Sequence, residues 1–179
     1  MGLMSIFSAG RYRRTAAGLY QTVVGAARQP LFYRTLAVPD TIEGRYEMIV
    51  LHMALALRRL RRITPEPRDL AQALVDYMAS DLDRSMRELG VGDLSVPRHM
   101  KRLGEGCFGR ATAYDQALDS TDAAGMDAAL IRNVYSDCAP GAASLAALQA
   151  YLREQEHHLA SWPDAELLAG RIGFAPARE

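Results

Sequence analysis

The residues whose types could do chemistry are four histidines, two cysteines and one run, Gly104-Glu105-Gly106-Cys107-Phe108-Gly109, that matches G-x-G-x-x-G letter for letter. The run would cradle a dinucleotide pyrophosphate only if a strand preceded it and a helix opened on it. Here Val96, Met100, Leu103, Cys107, Ala111, Tyr114 and Leu118 keep a helical period straight through it, so the glycines fall in mid-helix and no nucleotide site is expected. Three interior glycines cost about 1 kcal/mol each relative to alanine. Close approach of another helix, or a local kink, is the expected compensation. His157 and His158 are adjacent and point to different sides of a helix, and His99 has no partner nearby in sequence. His52 stands beside an apolar stripe and reads as a hydrogen-bonded packing histidine. With no C-x-x-C and no H-E-x-x-H, the sequence predicts no metal site, no cofactor and no catalytic residue. Cys107 and Cys138 are too far apart for a disulfide framework, which fits a reducing compartment.

The densest polar chemistry lies in Leu70 to Asp93, LAQALVDYMASDLDRSMRELGVGD. Ala71, Val75, Met78, Leu82, Met86 and Leu89 form one apolar helical stripe. It is flanked by Tyr77, Asp81, Arg84 and Glu88 on one side and by Asp76, Asp83 and Arg87 on the other. Gly90 and Gly92 end the helix, with Asp93 just beyond. Asp83 with Arg87 and Arg84 with Glu88 are four apart, each pair contributing about 0.2 to 0.5 kcal/mol on an exposed helix. The flanks are therefore either a solvated face or a partner-binding one. A second polar cluster, Arg58, Arg59, Arg61 and Arg62, complements a helix dipole or offers an anion-binding patch to a ribosome or lipid surface.

Those side chains must be positioned by helices. The chain has 179 residues, 49% hydrophobic and 23% charged, rich in alanine and leucine and without β-branched runs. An all-α, single-domain bundle of about six to seven helices is predicted. A first helix spans Arg11 to Arg28 with Leu19, Val23 and Ala26 or Ala27 inward. Phe32, Tyr33 and Leu36 plug a helix junction. Asp40 followed by Glu43 predicts the cap of a helix to Arg62, with Ile42, Tyr46, Ile49, Met53, Leu57 and Leu60 inward. Ser95 caps the next helix, two more cover Thr121 to Val134 and Ala142 to Leu159, a short one follows Trp162, and the tail after Gly173 is expected to fray.

Net charge is zero but unevenly placed: ten arginines stand against Asp40, Glu43 and Glu47 up to Arg62, leaving the remainder equally acidic. Complementarity between the halves and a basic surface for RNA or lipid headgroups both follow from it. The start, MGLMSIFSA followed by Arg11, Arg13 and Arg14, is neither a secretory signal nor a myristoylation site, since position 6 is Ile. Its basic residues suit an anionic bilayer surface, and an arginine-rich, acid-free start also resembles an organelle transit peptide. The longest apolar stretch, Ile49 to Leu57, is far below the roughly 20 residues of a membrane span.

Three blocks carry a resemblance: the run from Ala27 to Tyr33, VPDTIEGR at Val38 to Arg45, and DLDRSMRELGVGDLSV at Asp81 to Val96. In order and with short gaps, within a match from about Leu19 to Leu118, they resemble the ubiquinol-cytochrome c chaperone family of alphaproteobacteria and mitochondria. Gly104, Gly106 and Cys107 stand where the resemblance leads one to expect alanine-like and aromatic residues, so the packing of that helix is expected to differ. The resemblance implies a non-enzymatic, all-helical assembly chaperone for ubiquinol-cytochrome c reductase with newly made cytochrome b as client, a small partner subunit in mitochondrial members, and no specific DNA binding. It implies a basic leader over residues 1–18 and a helical chaperone domain over 19–175. It also makes Arg45, Asp76, Asp81, Asp83, Arg84, Glu88 and Asp93 client- or partner-facing, with Gly90 and Gly92 shaping the turn. The short leader favours a bacterial cytoplasmic protein, peripheral at the inner membrane, over one on the mitochondrial matrix side. The reading from another class is an RNA- or ribosome-binding module using the arginine-rich first third. A third, a small enzyme or haem carrier, would use His52, His99 or Cys107.

Overall fold

A computed structural model describes residues 3–88, 96–120, 123–136 and 140–177, with side chains from Tyr12 onward except those of 96–105 and 108. The described residues form a single all-α domain without strands. Its helices are α1 (Leu3–Ala27), α2 (Pro30–Arg34), α3 (Ile42–Arg61), α4 (Arg68–Glu88), α5 (Val96–Asp119), α6 (Ala123–Asn133), α7 (Ala142–Ala160) and α8 (Asp164–Leu168). Six of these are long and two have five residues, in agreement with the expected bundle. The expected Ser95 cap and the Gly90 and Gly92 stop lie outside the described residues.

The bundle is built around α3. Every residue from Glu47 to Ala56 is buried, which a helix reaches only when neighbours cover all its sides. α1, α4, α5 and α7 supply that cover. Each fully buried leucine or methionine there contributes about 1.5 to 3 kcal/mol. The expected inward stripe of α3 is therefore too narrow, and its first member is misplaced: Ile42 is 67% exposed because it opens the helix beyond the edge of the core.

The cap of α3 also differs from the sequence reading. Thr41, not Asp40, is the N-cap, its hydroxyl accepting from the Gly44 N–H at 3.1 Å. Asp40 is taken by Arg45, 2.6 Å away. A Cβ on Gly44 would run into the Pro39 carbonyl, so only glycine lets the entering chain double back this tightly.

α1 buries Leu19, Val23 and Ala27 as its spacing predicts. Phe32 of α2 and Leu36 close the junction with α3, while the Tyr33 hydroxyl donates to the Ala27 carbonyl at 2.8 Å. α5 runs unbroken through Gly104, Gly106 and Gly109. The space at Gly106 is filled by the Arg110 guanidinium from the next turn of the same helix, not by a second helix, and Gly109 has nothing nearby.

The tail beyond Gly173 is docked, contrary to the expectation that it frays. Phe174 packs on His52, and main-chain groups of Ala175 and Ala177 bond to Gln155 and Gln29. Just before it, Gly170 (φ +84°) and Gly18 face each other. A Cβ on Gly18 would come within 2.7 Å of the Gly170 carbonyl, so the crossing chain lies directly on α1.

Candidate functional site

α4 presents the polar residues singled out from the sequence, but its buried face is rotated from the predicted stripe. Leu70, Ala73, Leu74 and Met78 are its buried positions, whereas Ala71, Val75, Leu82 and Met86 are half-buried. The rotation draws the Tyr77 and Asp81 flank toward α1. There Tyr20 packs against Tyr77 with ring centroids 5.5 Å apart and donates its hydroxyl to Asp81 Oδ2 at 3.1 Å. Burial, reinforced by the Asp81 carboxylate, raises the Tyr20 phenol well above its ordinary range, so it stays a donor.

Beside this contact lies a groove of about 300 Å³ lined by Arg13, Ala73, Asp76, Tyr77, Ser80, Asp81 and Arg84. Three of the sequence-selected residues, Asp76, Asp81 and Arg84, thus share one concavity. Arg84 pairs with Asp81, and Gln72 holds Asp76 at 2.8 Å. The lining mixes two carboxylates, two guanidiniums, a hydroxyl and a tyrosine face. Such a surface orients a partner by hydrogen bonds and charge, and it holds no nucleophile paired with a base.

The other selected residues lie elsewhere. Asp83 is held by Arg87 at 2.8 Å, and that hydrogen bond lowers its carboxyl pKa. Glu88 is exposed at the end of α4. Arg45 is on the first turn of α3, bridged to Asp40 and stacked 5.4 Å above the Tyr33 ring. Gly90, Gly92 and Asp93 are outside the described residues. Neither Ser80 in the groove nor Tyr20 beside it was legible in the sequence, because Ser80 carries no charge and Tyr20 looks like one more apolar position of α1.

The arginine cluster at the end of α3 is turned inward. Arg58 is 10% exposed and reaches Asp115, Asp119 and Glu156, the last at 2.8 Å. Arg59 is 8% exposed, donates to the Leu159 carbonyl at 2.7 Å, and pairs with Asp164. Arg61 joins Asp115 and Arg62 joins Glu156 at 2.9 Å, each guanidinium remaining a little under half exposed. Burial opposes the Arg58 charge, but its bonds to Asp119 and Glu156 outweigh that and raise its pKa. Part of the charge asymmetry between the chain's halves is thereby neutralised internally.

Two further polar groups lie in the core. His52 is fully buried, with Nδ1 2.7 Å from the Met48 carbonyl and Nε2 2.7 Å from the Tyr151 hydroxyl. A carbonyl only accepts, so Nδ1 carries the proton and Nε2 accepts from Tyr151. Burial lowers its pKa to about 4, which keeps the ring neutral. Glu47 lies 2.7 Å from Arg110, near Cys107 and Tyr114; burial raises its carboxyl to about 7 despite the guanidinium. Burial also raises the Cys107 thiol, so it is no thiolate nucleophile at neutral pH. His99 and Cys138 lie outside the described side chains. Among the described residues no three His, Cys, Asp or Glu side chains stand close enough to hold a metal, and no helix is long and apolar enough to cross a membrane.

Comparison with known proteins follows the same lines. The family described as ubiquinol-cytochrome C chaperone matches residues 34–174. Ubiquinol-cytochrome c reductase complex assembly factor 1 of Mus musculus is 23% identical over 174 residues, covering 97% of this chain and 59% of that protein. Its counterpart in Drosophila melanogaster is 27% identical over 158 residues, covering 86% of this chain and 61% of the relative. The chain thus spans about 60% of the length of these relatives. A crystal structure of the Cbp3 homolog from Brucella abortus superposes with a TM-score of 0.82 at 38% identity, covering 99% of this chain and 98% of that one.

Proposed function

The chain belongs to the ubiquinol-cytochrome c chaperone family, and from that premise we propose that it assists assembly of ubiquinol-cytochrome c reductase by holding newly made cytochrome b. The match over residues 34–174 carries the reading. Holding a client needs no bond-making residue, and the chain is accordingly read as a binding protein and not an enzyme.

The groove between α1 and α4 is the client-facing surface in this reading. Asp76, Asp81 and Arg84 line it with Arg13, a mixed-charge wall suited to polar loops of a membrane protein whose apolar segments sit elsewhere. Arg45, Asp83 and Glu88 extend the polar surface outside it, and Gly90, Gly92 and Asp93 continue the chain beyond α4. Arg61 and Arg62, the more exposed members of the arginine cluster, would provide a ribosome or anionic membrane contact. The protein would act at the membrane surface without spanning it, on the cytoplasmic side in a bacterium.

The test is co-purification of the tagged chain from cells opened in mild detergent, comparing wild type with Asp76→Lys, Arg84→Ala, which leaves the Tyr20 to Asp81 bond in place. Cytochrome b recovered with wild type and lost with the folded variant is the expected result. Equal recovery moves the client surface off this groove. A deletion strain with a normal level of assembled reductase removes the chaperone function itself.

A further inference from the structure

The docked tail is held as a bound peptide would be. Gln155, fully buried on α7, donates from Nε2 to the Ala175 carbonyl at 2.9 Å and accepts the Ala175 N–H on Oε1 at 2.8 Å. One side-chain amide thus reads both main-chain groups of a single residue, whatever its side chain. Gln29 accepts the N–H of Ala177 at 3.1 Å. Two residues before Ala177 comes this clamped position, and one before that Phe174 stands edge-on to His52, ring centroids 5.2 Å apart at 71°. Because both His52 nitrogens are satisfied by Met48 and Tyr151, its ring offers an aromatic face with no competing polar demand. Phe32, 5.7 Å from His52 and 5.0 Å from Tyr151, backs the slot.

The segment also has a natural pivot. Arg171 is pinned by the Trp162 indole N–H, which donates to its carbonyl at 3.1 Å, and Gly173 lies directly against the Trp162 ring. From Gly173 to Ala177 the described residues form no helix, Phe174 and Ala175 are half-buried and Pro176 is exposed. Hydrogen bonds that any extended backbone can make, plus one ring in a slot, are a small share of the whole fold's stability. Segments held this way open locally without global unfolding.

We propose that the slot of Gln29, His52 and Gln155, backed by Phe32 and Tyr151, is a binding site for an extended polypeptide segment bearing an aromatic residue, and that Phe174–Ala177 occupies it in cis. An incoming aromatic takes the place of the Phe174 ring, the residue after it takes the Gln155 clamp, and the third residue along donates to Gln29. The tail is then a gate that a client segment displaces. Naming the client as the source of that segment rests on the chaperone reading; the site itself does not.

The experiment uses the full chain. Native-state hydrogen exchange should show the Ala175 and Ala177 amides opening about 100-fold more readily than those of Val50 and Leu51 in α3. Protection equal to that of α3 overturns the gate. A dye-labelled peptide, Gly-Phe-Ala-Pro-Ala, should bind Phe174→Ala about tenfold more tightly than wild type, and adding Gln155→Leu or replacing the peptide's phenylalanine by alanine should abolish this gain. Equal binding to both chains overturns the proposal, as does no binding to a Phe174→Ala chain that still melts cooperatively. So does a dimer of that variant that takes up no peptide. Loss of cytochrome b capture with peptide binding intact would remove the chaperone reading and leave the site standing.

Discussion

Glu47 and His52 stand five residues apart on α3, both buried, and burial drives their proton affinities in opposite directions: Glu47 up to about 7 and His52 down to about 4. Glu47 faces Arg110, Cys107 and Tyr114 of α5, whereas His52 faces Tyr151 of α7. The two titrate against different walls of the same bundle.

Their effects on stability oppose each other. The Glu47 pKa is raised above its ordinary 4.5, so the folded state favours the proton and this contribution falls as pH rises through about 7. The His52 pKa is lowered below 6.5, so its contribution is full above that value and falls as pH drops through about 4. Between pH 4.5 and 6.5 the slopes offset in the wild type. Glu47→Gln should unmask His52 and give stability climbing with pH, at up to about 1.4 kcal/mol per pH unit. Urea denaturation at a series of pH values reads this directly, and a profile parallel to wild type would refute the Glu47 assignment.

Arg58 should be the costliest arginine to remove. It is largely buried and meets three carboxylates, two of which are themselves mostly covered. Arg58→Ala leaves Asp115 and Glu156 with less compensation and is expected to cost about 2 to 4 kcal/mol. Arg62→Ala, at a half-exposed pair, should cost under about 1 kcal/mol. Thermal melts of the two variants side by side make the comparison.

Glycines of α5 give a paired test. Gly109 has open space around it, so Gly109→Ala should stabilise the chain by about 0.5 to 1 kcal/mol through helix propensity and a less flexible unfolded state. Gly106→Ala gains the same propensity but drives a methyl into the Arg110 guanidinium, which is held by buried Glu47. It should be no better than neutral. Equal gains at both positions would mean that Arg110 moves aside freely.

Tyr151→Phe tests the core histidine. It removes the hydroxyl that donates to His52 Nε2 and leaves a buried acceptor unpaired, a loss of about 1 to 3 kcal/mol. The melting temperature should fall by about 2 to 4 °C for each kcal/mol in a chain of this size.

The helices were legible because their apolar spacing is local: α1 buries Leu19, Val23 and Ala27 on it, and the described part of α5 buries Cys107, Tyr114 and Leu118. The facing of α4 was not. Asp81 carries a charge and reads as solvent-facing, and the donor that meets it on the α1 side, the Tyr20 hydroxyl, lies 61 residues earlier. Arg58 to Arg62 were visible as a charge cluster, but their carboxylates come 54 to 105 residues later, and spacing along the chain says nothing of such pairs. Thr41 displaced Asp40 as a cap because Arg45 claims the carboxylate. The docked tail has neither helical nor strand period; its partners are a glutamine amide and a histidine ring, residues that no pattern marks as receptors.

The arginine clasp has a consequence for how the protein is made. Arg58 meets Glu156 across 98 residues of chain, and Arg59 meets Asp164 across 105. At about 5 to 20 residues per second, a ribosome delivers those carboxylates roughly 5 to 20 seconds after the guanidiniums. During that interval the residues already made carry more arginine and lysine than acid, and Glu156 and Asp164 are still to come. Closure of the bundle around α3 therefore waits until α7 and the start of α8 have been made, and a messenger truncated before Glu156 would release a chain in which Arg58 and Arg61 still have Asp115 but Arg59 and Arg62 lack their carboxylates.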